Sequence, residues 1–237
     1  MTRFIAVLSY QFVLHFRHGF YYAYTVLTAL YIVMLNLIEP SARAPIAALI
    51  VFTDPSVLGF AFIGGLILME KDENTLQNLF VTPIRVWEYI AAKDLSLSAL
   101  ALVTSSLIAV TSVGLGFNWA LFLTGILLTS TVFIQIGIVA VSRVKSVNAY
   151  FLTAVVYLTL FFVPALDYYG VLTSYVFWAF PTWASITLIG GAFDPSKIEP
   201  LRIAAAYAVM AVWNIGTFLW ARKRVEDGIV HVQGEKK

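Results

Sequence analysis

Residues 171–192, VLTSYVFWAFPTWASITLIGGA, are the stretch on which the fold turns. They are apolar enough to cross a membrane, yet Pro181 sits in their middle. A proline inside a helix removes a backbone hydrogen bond and kinks or breaks it. Positive charge decides between a crossing and a return, because cytoplasmic loops carry an excess of Lys and Arg. If 171–192 does not cross, the cytoplasmic side holds twelve positives: Arg3, Arg17, Lys71, Arg85, Lys93, Arg143, Lys145, Arg222, Lys223, Arg224, Lys236 and Lys237. The outside then holds three, Arg43, Lys197 and Arg202. If 171–192 does cross, the last five of the twelve move outside and Lys197 and Arg202 move inside, leaving nine against six. The first split is the stronger. Residues 171–192 therefore read as a re-entrant helical hairpin on the outer side, turning near Pro181, its non-helical backbone buried by protein.

The rest of the chain fits that frame. Of 237 residues, 60% are hydrophobic and 12% charged, with a mean hydropathy of +0.86. Soluble domains are nearer half apolar and a quarter charged, so lipid is the natural solvent for this surface. The expected fold class is an all-α integral membrane protein with six transmembrane helices, at 20–38, 50–69, 95–117, 119–141, 148–166 and 201–220, each close to the roughly 20 residues a bilayer requires. These spans use most of the length and leave one transmembrane domain, 1–237, with both termini cytoplasmic. Ahead of them, 2–18 reads as an interfacial amphipathic helix. Arg3, Gln11, His15 and His18 fall on one side, with Phe4, Ile5, Leu8, Phe12 and Phe16 largely away from it. The histidines are expected at lipid headgroups. No short apolar run with a small-residue cleavage site opens the chain, so the first span is expected to be retained. Absence of cysteine excludes disulfides and thiolate metal sites.

The one long charged connection is 70–94, EKDENTLQNLFVTPIRVWEYIAAKD. Span two is expected to run out of the membrane as a helix with Glu70, Asp72 and Glu73 in water. Leu76, Leu79 and Phe80 then form an apolar stripe at helical spacing, Thr82-Pro83 breaks the helix, and a second helix from about Arg85 to Lys93 leads back. Such a segment is either a solvated connector or a docking element that offers charges and apolar anchors to a cytoplasmic partner.

The run from Glu70 through Thr82-Pro83 to Lys93 resembles the segment after the second span of ABC type-2 permeases. Glu70, Glu73, Thr75, Leu76, Leu79, Thr82, Pro83 and Lys93 match that pattern. Asn74 stands where Gly is common and Gln77 where Glu is common. The resemblance covers nearly the whole chain. RHGFYYAY at 17–24, the Asp54-Pro55 break and SVNAY at 146–150 look like permeases of the fluoroquinolone-export type. The resemblance implies a half-transporter in the plasma membrane. It would work with a separate ATP-binding cassette ATPase subunit and a second permease subunit, as homo- or heterodimer. Glu70, Asp72, Glu73, Thr75, Leu76, Leu79, Phe80, Thr82 and Pro83 would form the ATPase-coupling segment.

No G-x-x-x-x-G-K-[ST] phosphate loop is present in the sequence, so the chain is not expected to act as an enzyme by itself. No cofactor, metal or nucleic-acid partner is expected. Asp54 is the one acid in a long apolar stretch, and an intramembrane acid is a functional candidate by default. Asp54-Pro55 also reads as a helix cap with proline at the first helical position, which would start span two near the outer surface; Asp194-Pro195-Ser196 repeats the pattern before the last span. Gln135, Asn148 and Asn214 lie within or beside spans. They read as interhelical hydrogen-bonding groups or, with Asp54, as candidate pathway residues. A nearly uncharged pathway suits a hydrophobic or amphipathic cargo, drug- or lipid-like. The rivals are an intramembrane enzyme, for which no histidine lies in a span, a structural membrane subunit, and a secondary transporter driven by an ion gradient. The last needs buried coupling charges, and the sequence displays none plainly.

Overall fold

Long apolar runs without water leave the backbone no partner but itself, and helices are the result. The computed structural model describes residues 2–73, 75, 84–144, 146–194 and 198–234. In chain order the helices are α1 (Thr2–Arg17), α2 (Phe20–Asn36), α3 (Pro40–Thr53), α4 (Gly59–Asp72), α5 (Val86–Val113), α6 (Trp119–Val141), α7 (Val147–Phe162), α8 (Pro181–Phe193) and α9 (Pro200–Gly234). Among the described residues five helical segments are long and apolar enough to cross a membrane: Pro40–Asp72, Val86–Val113, Trp119–Val141, Val147–Asp167 and Pro200–Asp227. The bent pair Arg3–Arg17 and Phe20–Asn36, joined at 66°, makes a sixth candidate. The protein is an all-α integral membrane protein.

Helix α6 is the hub. It packs on α4, α5, α8 and α9 and is the most buried of the spanning candidates, whereas α7 and α9 are the least. Close approach is built from small residues, as membrane helix packing requires. A Cβ at Gly64 of α4 would overlap the Tyr150 ring of α7, and one at Gly137 of α6 would overlap Ile63 of α4. Tyr150 in turn donates its hydroxyl to the Phe60 carbonyl at 2.5 Å.

Several expectations are corrected. Asp54 caps nothing. The second crossing is one helical run from Pro40 to Asp72, and Asp54–Leu58 is a π-helical turn inside it. Proline cannot donate to the i−4 carbonyl, and the helix absorbs Pro55 by widening there rather than by ending, a form common at functional sites. Asp194 closes α8 rather than opening the last span, which starts at Pro200; Pro195, Ser196 and Lys197 lie outside the described residues. In 171–192 only the second limb is an α-helix. Tyr175–Ala179 is a 3-10 turn, and Pro181 is not the bend but the first residue of α8, where proline's missing N–H costs nothing. That limb is buried throughout, from Pro181 to Ala192. Trp183 stacks on Trp178 at 4.8 Å and donates its indole N–H to Asp167 at 2.9 Å.

Helix α1 is amphipathic with its polar side turned inward. Gln11 and His15 are fully buried, while Ile5, Phe12 and Phe16 are exposed. It packs on α5 and α2, and His15 sits edge-on to Phe20 and Tyr21 rather than at headgroups. An apolar face left outward and a polar face held against the bundle is the arrangement lipid favours, the reverse of a soluble helix.

Candidate functional site

The polar groups of the interior form two rungs between the same pair of antiparallel segments. At one end, α4 delivers Glu70 and α5 delivers Tyr89 and Lys93, one turn apart. The Lys93 Nζ donates to Glu70 Oε1 at 2.7 Å, and the Tyr89 hydroxyl donates to Glu70 Oε2 at 2.7 Å. Lys93 also donates to Gln11 Oε1 of α1 at 3.3 Å. Lys93 is 0% exposed and Glu70 3%. Glu70 is therefore not in water, contrary to the expectation from the charged run around it. It is half of a buried ion pair, whose partners cannot be separated cheaply because each alone would be an uncompensated charge in low dielectric. Further along, Thr104 and Ser105 of α5 donate to Asp54 Oδ2 at 2.6 and 3.2 Å, and Asp54 is 1% exposed. From Lys93 to Thr104 is 11 residues, roughly 16 Å of helix at about 1.5 Å per residue.

The start of the 70–94 segment is tied down as well. Glu73 accepts from Arg17 at 2.8 Å, with His18 Nε2 3.8 Å from its other oxygen. Lys71 donates to the Val141 carbonyl at 3.3 Å. Asp72 is exposed and Thr75 half-buried. Leu76, Leu79, Phe80, Thr82 and Pro83 lie outside the described residues. On the return side there is no separate short helix from Arg85 to Lys93; α5 runs unbroken from Val86 to Val113. Its N-terminus is a capping box, the Arg85 backbone N–H donating to Glu88 at 2.8 Å. Trp87 stacks on Phe4 of α1 at 6.3 Å.

A second polar track runs from α5 through α6 to α9. Gln135 donates through Nε2 to Asp94 Oδ2 at 2.8 Å and accepts from the Thr217 hydroxyl at 2.6 Å. Nearby on the same two helices, Thr131 donates to Asn214 Oδ1, and Asn214 donates to the Met210 carbonyl at 2.9 Å. Of the candidate pathway residues, the structure thus brings Gln135 and Asn214 together. It leaves Asn148 apart, exposed in the first turn of α7, and holds Asp54 on its own rung. Asp94 is not among the residues that sequence reasoning selects. In sequence it ends a charged loop, and the structure buries it on α5. Thr104, Ser105 and Thr217 carry no signal of their own in an apolar run.

Of two surface concavities, the smaller adjoins this track. One, of about 270 Å³, is lined by Thr131, Gln135, Asn214, Ile215, Phe218 and Leu219. The other, of about 500 Å³, is almost wholly apolar and includes Leu49, Val57, Leu158, Phe162, Leu166 and Tyr169.

An all-helical, multi-pass membrane protein whose interior carries a buried ion pair and two further buried acids has the features of a membrane transport protein. The comparison with known proteins is specific. Residues 2–232 match the fluoroquinolones export permease protein family, and the chain belongs to that family: it is a membrane permease. Two proteins of Mycobacterium tuberculosis, each named fluoroquinolones export permease protein, from strains CDC 1551 / Oshkosh and H37Rv, are similar to it. Each is 30% identical over 211 residues, 89% of this chain and 88% of the relative.

Proposed function

We propose that the chain is the membrane-spanning half of an ATP-driven exporter, moving a hydrophobic or amphipathic, drug-like molecule out of the cytoplasm with energy from a separate ATP-binding cassette ATPase subunit. The relatives' names support export and a drug-like cargo. The observation that carries the coupling is the buried Glu70–Lys93 pair at the base of the 70–94 segment. A connector that merely ends a span needs no such pair. A segment that must transmit force does, because both its ends have to move as one with the bundle. Displacement of 70–94 by a docked ATPase would tilt α4 and α5 together and reach the Asp54–Thr104 rung. Arg17 and Gln11 bring α1 into the same unit through Glu73 and Lys93.

In this reading Asp72, Thr75, Leu76, Leu79, Phe80, Thr82 and Pro83 contribute to the docking surface. A second permease subunit completes the pathway. The twelve-to-three charge split supports cytoplasmic termini in a plasma membrane. The test is co-expression with a tagged ATPase from the neighbouring reading frame. The wild type should co-purify with it and export in an ATP-dependent way. Leu79→Ala with Phe80→Ala should insert normally and lose the ATPase. Normal insertion with undiminished docking would reduce the segment to a solvated connector.

One observation favours a second reading, transport driven by an ion gradient: Asp54 and Asp94 are buried acids, and such groups serve as coupling sites in secondary transporters. Uptake into proteoliposomes by the chain alone, under a proton or sodium gradient and without ATP, would establish that reading in place of the first.

A further inference from the structure

The connection from α7 to α8 is fixed at both ends and loose between them. At its base the Tyr168 ring lies so close to Gly190 of α8 that a Cβ there would overlap it. The Tyr169 hydroxyl donates to the Pro45 carbonyl of α3 at 3.0 Å. Gly170 follows with φ +69°, in the left-handed region that glycine enters freely, and a Cβ there would meet nothing within 4 Å. Beyond it Val171, Leu172, Tyr175 and Val176 are all exposed.

The far end is clasped. Arg202 of α9 lies over the Trp178 ring, 5.5 Å from its centroid. Trp178 stacks in turn on Trp183 of α8 at 4.8 Å, and Asp167 accepts the Trp183 indole N–H. The next residue is tied to the same helix as Arg202, since the Trp213 indole donates to the Ala179 carbonyl at 2.8 Å. A cation on an aromatic face and a stacked ring pair both attract, so a chain of contacts runs from Asp167 through two indoles to α9. Trp183, under Trp178, is 1% exposed. In the same turn of α8 the Thr182 hydroxyl is buried without a hydrogen-bond partner among the described residues. A buried hydroxyl without a partner is costly, so this end of the buried limb gains from hydration, whereas the clasp favours closure.

We propose that residues 171–180 are a lid over the start of α8, hinged at Gly170 and held shut by Arg202 on Trp178, and that movement of α9 away from Trp178 releases it. A hinge is a few residues that absorb a large backbone change, and the unencumbered Gly170 fits that part. The clasp joins the lid to α9, a spanning helix, so a shift of that helix inside the bundle is felt at the lid. In the twelve-to-three topology the lid faces outward, the side on which an exporter has to open.

The test reads lid position directly. The chain has no cysteine, so introduced cysteines are its only labels. Val176→Cys on the lid and Leu201→Cys beside Arg202 are 67% and 72% exposed positions that accept spin labels without disturbing the fold. Their distance distribution is measured by electron paramagnetic resonance on the full chain in lipid nanodiscs. A second pair, Val155→Cys on α7 and Val212→Cys on α9, reports the bundle itself. With Arg202 in place the 176–201 pair should show mainly one short distance. Arg202→Gln should raise the ratio of long to short distances at least about threefold, about 0.7 kcal/mol, and leave the 155–212 pair unmoved. Arg202→Lys keeps a cation for the ring and should lie nearer the parent, whereas Trp178→Leu removes the other half of the clasp and should open the lid as Arg202→Gln does. An unchanged 176–201 distribution in Arg202→Gln overturns the proposal. So does Arg202→Lys matching Arg202→Gln, or an equal change in the 155–212 pair. Arg202 is exposed, so its variants decide even if Trp178→Leu does not fold. No ATP or ATPase is present, so failure here leaves the ATP-driven reading standing, and failure of the ATPase to co-purify leaves this result standing.

Discussion

The ion pair at the base of the 70–94 segment offers the sharpest stability test, because removing one partner should cost far more than removing both. Lys93→Met keeps the length of the side chain and deletes its charge. Glu70 then remains 3% exposed with the Tyr89 hydroxyl as its one remaining donor from the triad. Breaking a buried pair in this way costs about 3–5 kcal/mol. At roughly 2–4 °C per kcal/mol for chains of 150–250 residues, melting should fall by about 6–20 °C. Glu70→Gln should cost less, since the amide still accepts from Tyr89, but it strands Lys93 beside Gln11. The double variant removes both charges, and replacing a buried pair with apolar or neutral groups is often neutral or stabilising; it should recover most of the loss. The assay is thermal unfolding of the three variants and the wild type in the same nanodiscs, read as a double-mutant cycle. The reasoning fails if Lys93→Met melts within about 2 °C of the wild type, less than 1 kcal/mol on that scale. It fails equally if the double variant is as unstable as the worse single one, because the charges would then not be a pair. The same set tests coupling: a double variant that folds normally yet exports poorly would place the pair's role in transmission rather than in stability.

Four further outcomes are expected. Reporter fusions at residue 237 and near residue 170 should place the first in the cytoplasm and the second outside, and a C-terminal reporter active outside would end the six-span topology. Arg17→Ala should leave melting nearly unchanged, since its partner is partly solvated and such pairs are worth about 0–1 kcal/mol, while ATP-dependent export falls; a normal export rate would exclude α1 from the coupling unit. Gly64→Ala should destabilise by about 1–3 kcal/mol, because its new Cβ would overlap the Tyr150 ring, and unchanged melting would contradict that close approach. The purified chain should hydrolyse no ATP in a phosphate-release assay, a prediction overturned by turnover that survives removal of any co-purified ATPase.

The parts of the molecule legible in its sequence are those set by lipid. A run of about 20 apolar residues has to be a helix in a bilayer, so the candidate spans are visible in hydropathy, and the charge split removes 171–192 from them. The hidden parts depend on where a helix ends. Asp54-Pro55 has the chemistry of a cap, and in water it would be one. Inside a bundle, ending the helix there would leave backbone groups unsatisfied at membrane depth, which costs more than a π turn, so the helix continues and the acid is carried into the interior. Glu70 and Asp94 are misplaced for a different reason: helices are expected at both ends of 70–94 but as solvated ones, whereas both side chains are buried in the bundle. Lys93, which reads as one more loop charge, becomes the counter-charge that lets Glu70 be buried at all. A sequence displays charges one at a time, whereas the cost of burying a charge belongs to pairs. At Asp94 the pairing is left open: with Lys93 committed to Glu70, the helix that hides the ion pair also hides an acid with one oxygen unsatisfied.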